Sequence, residues 1–343
     1  VANLGRTKEG KYYEKLNYAI GESHEPGSTF KLMALVAALE DQVVDTTTVF
    51  DTQNGELTFY GKYKVRDSRK GGYGKIPITE IFERSSNTGM VQAIYNEYNK
   101  KPEQFVNRLM NMGLSEPLGL PIVGEAKPFI PHPDKKGWSG ISLPWMAYGY
   151  GVLMTPMQTL TFYNAIANDG VMVRPRFIEG TQNTRSQIKK QSEVEIINPS
   201  ICSKETIGKV KSMLKGVVEK PWGTAHNIYD PNFAISGKTG TCQIDYNTEE
   251  VQYVASFVGY FPSDQPKYSC IVVIHRPDKE KGYFGNQVAA PVFQTIAHKL
   301  YSSIPRETKL SRDRYLEITG NKNETNQSVV KVDVKLTKTQ KKS

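Results

Sequence analysis

Three β-type runs crowd into residues 233–275, and they constrain the fold more than any other stretch. FAISGKTGTCQI (233–244), VQYVASFVGYF (251–261) and YSCIVVIH (268–275) are rich in β-branched and aromatic residues. The links between them are too short for a crossover helix, so they are expected to pair as an antiparallel meander. Helical periods surround them. Leu32, Leu35, Val36 and Leu39 fall at i, i+3, i+4 and i+7, which predicts a helix over 28–41 with one buried face. Val91, Ile94, Tyr95 and Tyr98 predict another beyond Pro77. Further helices are expected from Pro156 to about Asn168, near 203–219, and over Ala289–Ser303 with Val292, Ile296 and Leu300 on one face. The expected class is α/β of the α+β type: an antiparallel β-sheet flanked by helices, plus a mainly helical subdomain.

Other stretches carry weaker signals. Residues 11–20 suit a strand, while 42–76, polar and glycine-rich, read as an irregular excursion. Repeated Pro and Gly between Gly113 and Pro144 indicate a long surface loop, and 180–200 a polar connection. Val329–Leu336 alternates like a strand but has no identifiable partner.

Of the net charge of +9, residues 306–343 supply +5, from ten Lys or Arg against five Asp or Glu. The expected division is therefore one domain over 1–305 and a basic polar tail over 306–343. The body has no basic stripe interleaved with aromatics, so nucleic acid is not an expected partner. Cys202, Cys242 and Cys270 form no CxxC, and the five histidines form no paired spacing, so neither a metal nor a cofactor is expected. No apolar run reaches the roughly 18 residues of a membrane-spanning helix. The chain starts at Val1 without a signal-peptide pattern, which reads as a fragment or processed form.

Three short motifs suggest chemistry. Ser28-Thr-Phe-Lys31 sets a hydroxyl and an amine on one side of a helix start. The helix dipole favours negative charge on the serine oxygen, and an apolar helix strips water from the lysine. Desolvation lowers the lysine pKa, so that a neutral amine can take the serine proton. The same spacing recurs at Ser186, Ser212 and Ser328, to which no function is assigned, so Ser-x-x-Lys alone says little. Ser85-Ser86-Asn87, the one Ser-x-Asn in the chain, is either a capping cluster or a proton relay with Asn87 bonding substrate and Lys31. Lys238-Thr239-Gly240-Thr241 lies in a strand bracketed by Gly237 and Gly240, where missing side chains would admit an added peptide strand. Lys238, Thr239 and Thr241 would then offer donors to a carboxylate. The alternative is a glycine-marked bulge with an exposed lysine. A P-loop is excluded, because Asn232 stands where its first glycine is needed.

In this order the three form the signature of penicillin-interacting serine enzymes. Glu25-Pro-Gly-Ser-Thr-Phe-Lys31, Val65-Arg-Asp67, Tyr148-Gly-Tyr-Gly151, Thr155-Pro156 and GYFGNQVAAPVFQTI (282–296) extend the likeness over residues 1–303. The chain resembles class B penicillin-binding proteins, the monofunctional peptidoglycan D,D-transpeptidases, of the cell-division type. The resemblance implies a serine β-lactamase/transpeptidase-like fold. It makes Ser28 the nucleophile, Lys31 the base, and Ser85, Asn87 and Lys238 a proton and hydrogen-bond network. It assigns Thr239, Gly240 and Thr241 to substrate binding, and the Ser28 and Thr241 N–H groups to an oxyanion hole. The implied partners are peptidoglycan stem peptides and β-lactams, with a glycosyltransferase and other division proteins reached through a missing amino-terminal region. The implied location is the extracytoplasmic, periplasmic face of the membrane. Cys242 departs from the small apolar residue usual in the family. A β-lactamase would need a water-activating glutamate, with Glu25 and Glu83 as candidates; a D,D-carboxypeptidase shares the first half-reaction. A non-enzymatic β-lactam sensor would need a signalling segment, and none is visible.

Overall fold

The computed structural model describes residues 4–7, 9–14, 16–183, 189–244 and 251–303. The chain opens with a two-residue antiparallel pair, β1 (Gly5–Arg6) and β2 (Tyr12–Tyr13), followed by the short helix α1 (Tyr18–Gly21). A 3₁₀ turn over Gly27–Phe30 leads into α2 (Lys31–Glu40). The next segment holds β3 (Val49–Asp51), the hairpin of β4 (Glu56–Phe59) and β5 (Tyr63–Arg66), and β6 (Lys75–Pro77), which pairs back with β3. Helices α3 (Ile78–Glu83), α4 (Asn87–Tyr98), α5 (Pro102–Asn111), α6 (Ser142–Met146) and α7 (Pro156–Ala167) follow. Then come β7 (Met172–Val173), β8 (Gly180–Gln182), β9 (Lys189–Gln191) and β10 (Ile196–Asn198), paired as β7 with β10 and β8 with β9. Helix α8 (Lys204–Glu219) precedes β11 (Ser236–Ile244), β12 (Gln252–Phe261) and β13 (Tyr268–His275), and α9 (Gly285–Val288) and α10 (Ala290–Ser303) come last.

The expected meander is present as a sheet of order β11–β12–β13. Its register runs unbroken from Ser236↔Tyr260 to Ile244↔Gln252, and from Val254↔His275 to Phe261↔Tyr268. Side chains alternate between faces. On one face Phe257 and Phe261 meet Phe293 of α10, with ring centroids 4.8 and 5.7 Å apart. On the other, Asn164 of α7 donates from Nδ2 to Ser269 Oγ at 3.0 Å. With helices over both faces, β12 is buried from Val254 to Phe261, which is why its sequence is nearly continuous in apolar residues.

Helix α2 is buried along its whole length from Lys31 to Leu39. Its sequence suggested one buried face; instead it runs through the core with α4, α5 and α8 around it. Polar caps mark the starts of α4, α7 and α8. Thr155 and Gln158 form a reciprocal capping box ahead of Pro156, and Ser203 accepts the Thr206 N–H. Gly170, at φ +93°, supplies the left-handed turn beyond α7.

Four expectations need correction. Residues 11–20 contribute a strand only at Tyr12–Tyr13, and Tyr18–Gly21 is helical. The 42–76 excursion contains the strands β3 to β6, too short for a period to register, and the 180–200 connection likewise contains β8, β9 and β10. On α10 Ala290, Phe293 and Ala297 are buried and Ile296 packs against the core as expected, while Val292 and Leu300 are exposed. The 306–343 tail and the Val329–Leu336 alternation lie outside the described residues.

Candidate active site

Ser28 sits in the 3₁₀ turn rather than in the α-helix, and Lys31 is the first residue of α2. Three residues per turn bring i and i+3 into line, so both side chains leave the same side. The turn is pressed against β11. A Cβ on Gly27, whose φ is +55°, would stand 3.2 Å from the Thr241 carbonyl oxygen and 3.3 Å from Cys242 Cβ. The Gly27 N–H donates to the Gly149 carbonyl at 3.1 Å, and Tyr163 OH donates to the Thr29 carbonyl at 2.9 Å. These contacts hold Ser28 half-buried at the mouth of an apolar helix.

Lys31 is fully buried. Its Nζ donates to the Ser85 carbonyl at 2.7 Å, Ser85 Oγ at 3.1 Å and Asn87 Oδ1 at 2.6 Å. Burial lowers its pKa to about 7 against the opposing charge of Asp67. Among the described residues no hydrogen bond joins the Ser28 hydroxyl to Lys31 Nζ. The three donors of the ammonium are taken by the Ser85–Asn87 oxygens. Once deprotonated, the amine keeps two donors and gains a lone pair.

Ser85 occupies the turn between α3 and α4 at φ +58°, a region rarely adopted by side-chain-bearing residues and concentrated at functional sites. The capping reading of Ser85-Ser86-Asn87 falls on Ser86 alone. Ser86 caps α4, accepting the Gly89 N–H at 3.0 Å, while Ser85 and Asn87 face Lys31. Asn87 Nδ2 donates to the Arg66 carbonyl at 2.6 Å, which turns Oδ1 toward the lysine.

Lys238 is also fully buried; its Nζ lies 5.7 Å from the Phe82 ring centre and donates to the Thr239 carbonyl at 3.3 Å. Burial first, and then the charge of Lys31, push its pKa well below the lysine range. The exposed-lysine alternative is therefore excluded. Thr239 and Thr241 share the opposite side of the strand from Lys238. Thr239 Oγ1 is 2.9 Å from Thr224 Oγ1, and Thr241 Oγ1 accepts the Gly285 N–H at 3.0 Å, leaving its own hydrogen to donate.

β11 is an edge strand, with no strand on its outer side among the described residues. Its glycines, however, face inward. A Cβ on Gly237 would meet Phe257 Cζ at 2.6 Å, and one on Gly240 would meet Thr29 Cγ2 at 2.9 Å. Their smallness serves packing against β12 and the nucleophile turn rather than the approach of a ligand.

Asp67, Arg66, Phe82 and Thr224 contribute contacts that motif spacing did not reveal. Arg66 and Asp67 come from the end of β5, Phe82 from α3 and Thr224 from the segment after α8, and they meet the site only through the fold. Among the described residues, no group of three or more His, Cys, Asp or Glu is placed to hold a metal ion, and no helix is long and apolar enough to cross a membrane.

The penicillin binding protein transpeptidase domain family matches residues 3–298, so the chain belongs to that family. Stage V sporulation protein D of Bacillus subtilis is 29% identical over 284 residues, covering 82% of this chain and 42% of that protein. Peptidoglycan D,D-transpeptidase FtsI of Escherichia coli K12 is 27% identical over 310 residues, covering 90% and 48%. The chain thus spans less than half the length of these relatives. Among solved structures, the transpeptidase domain of Burkholderia pseudomallei penicillin-binding protein 3 superposes with a TM-score of 0.70 at 27% identity, covering 86% of this chain and 84% of that one. Mycobacterium tuberculosis penicillin-binding protein 3 complexed with aztreonam gives 0.71 at 29% identity, covering 83% and 64%.

Proposed function

We propose that this chain is the catalytic portion of a peptidoglycan D,D-transpeptidase of the cell-division type, working at the extracytoplasmic face of the membrane. The observation that carries the reading is the buried Lys31 amine, with a pKa of about 7, held by Ser85 and Asn87 one turn from Ser28. Neutral Lys31 takes the Ser28 proton as Oγ attacks the carbonyl between two terminal D-alanines. The N–H groups of Ser28 and Thr241 hold the oxyanion, each typically contributing about 2.7–4 kcal/mol. Collapse expels D-alanine, whose nitrogen takes the proton through Lys31 and Ser85. An amine of a second stem then attacks the ester, restoring Ser28. Thr239 and Thr241 offer hydroxyls to the donor stem's terminal carboxylate, with Gly240 between them on the strand. Lys238, whose burial disfavours the charged form, completes the proton network. Division proteins and a glycosyltransferase are the partners that the family resemblance implies.

Both candidate water-activating carboxylates are engaged elsewhere, which favours transfer over hydrolysis. Glu83 Oε2 accepts the Trp222 indole N–H at 2.6 Å, and Glu25 Oε1 accepts the Gly151 N–H at 2.7 Å. The test is intact mass after incubation with a penicillin. One adduct persisting for minutes or longer on the wild type, and none on Ser28→Ala, is expected. An adduct lost within seconds would identify a β-lactamase instead.

A further inference from the structure

The residue that organises the Lys31 environment lies in none of the three motifs. Asp67 follows directly on β5, where its N–H donates to the Gly55 carbonyl at 2.9 Å. Its carboxylate sits on the first turn of α4 and receives four donors. These are Ser86 Oγ at 2.9 Å, Thr88 Oγ1 at 2.8 Å, the Asn87 N–H at 2.5 Å and the Thr88 N–H at 3.0 Å. The last two are unpaired amides of a helix start, where an anion is doubly favoured. The neighbouring Arg66 carbonyl orients the Asn87 amide. The end of one hairpin strand therefore grips Ser86, Asn87 and Thr88, leaving Ser85 in its left-handed conformation between the clamp and α3.

We propose that Asp67 is a positioning residue for the acylation of Ser28: its carboxylate fixes the Ser85 and Asn87 oxygens against the Lys31 amine. This rests on the transpeptidase reading above. Two separable contributions follow. The four hydrogen bonds set geometry, and the negative charge opposes the desolvation of Lys31. The charged group acting on Lys31 is Asp67 from the end of β5; Lys31 in turn acts on the buried Lys238 amine of β11, and its contacts from the α3–α4 turn are the neutral Ser85 and Asn87. Asp67 is thus the counter-charge of a site otherwise holding two amines.

The test measures the second-order rate of acylation by a fluorescent penicillin against pH, with thermal unfolding of each variant. Asp67→Asn removes the charge and two acceptor sites. The plateau rate is expected to fall about ten- to a hundredfold, as misplaced groups do, and the midpoint of the acid limb to move down by at least about half a pH unit. Asp67→Glu keeps the charge on a longer arm, so its midpoint should stay at the wild-type value while the plateau falls. Thr88→Val removes one donor and no charge, and should lower the plateau without moving the midpoint. A purely structural role would lower folded fraction and leave the midpoint in place. A folded Asp67→Asn with wild-type plateau and midpoint overturns the proposal; if that variant does not fold, a wild-type plateau in Thr88→Val overturns it. Failure of the underlying reading looks different: the wild type takes no penicillin, or Ser28→Ala takes as much.

Discussion

Two amines from distant parts of the chain, Lys31 and Lys238, are buried beside the same turn, and among the described residues neither forms a salt bridge with a carboxylate. Burying a cation this way is costly unless it sheds its proton. Folded Lys31 does so near pH 7, but the unfolded chain holds that proton up to about 10.5. Between those values the unfolded state binds more protons, so stability rises with pH across that window and is flat below it. Lys238, displaced in the same direction, adds to the slope. Urea-unfolding midpoints measured from pH 6 to 10 should climb in the wild type and climb less in Lys31→Met. The acylation rate should rise through about pH 7 as the base form of Lys31 appears. Lys238→Met should separate function from stability. Its amine makes one 3.3 Å bond to a neighbouring carbonyl, so an apolar side chain of similar length should raise stability by about 0.5–2 kcal/mol while slowing acylation. At this scale the motif residues were legible because a hydroxyl, an amine and a glycine-bracketed strand are chemically distinctive even as text. Asp67 was quoted only within a segment of the family likeness, and its role was not legible, because it depends on partners 19 to 21 positions away that only the hairpin brings near.

Elements were legible in proportion to their length and the regularity of their burial. Helices α4, α7 and α8 and strands β11 to β13 each carry a clear period or an uninterrupted apolar run. Strands β3 to β6 are three or four residues long, and nothing in Lys75-Ile-Pro77 or Glu56-Leu-Thr-Phe59 separates them from a polar loop. Yet this hairpin segment presents Arg66 and Asp67 to the site, so the part hardest to read is the part that aims it. The joint between α3 and α4 is the matching element on the other side. A Cβ on Gly89 would meet Ile81 Cγ1 at 2.7 Å and Cδ1 and Cγ2 at 2.8 Å, all on a stiff β-branched side chain. Gly89→Ala should force the two helices apart and cost about 1–3 kcal/mol. It should also slow acylation, because the Ser85–Asn87 turn lies at that joint. Adding Ile81→Val removes the Cδ1 contact, and the double variant should recover part of both losses; denaturation and acylation measured over the full cycle would show additive effects if the joint did not couple to the site.

The whole molecule places its chemistry where a core helix meets the edge of a sheet, and every part of that arrangement lies ahead of residue 298. The buried hydrophobic cluster runs from Phe30 to Ala297, and the matched family domain from residue 3 to 298. Residues 306–343 carry more than half of the net charge of the chain and few apolar side chains, a composition that adds little to a core. A chain ending at Ser303 should therefore unfold at the same urea midpoint as the full one and acylate Ser28 at the same rate. Losing this net positive charge should lower only long-range attraction to anionic ligands, an effect that falls with ionic strength over a Debye length of about 8 Å near physiological salt. Acylation by an anionic penicillin, compared between the two chains at low and high salt, separates these contributions. A rate difference confined to low salt fits a tail acting through charge alone. A difference that persists at high salt, or a lower unfolding midpoint in the shortened chain, would instead make the tail part of the folded catalytic unit and move the domain boundary beyond residue 305.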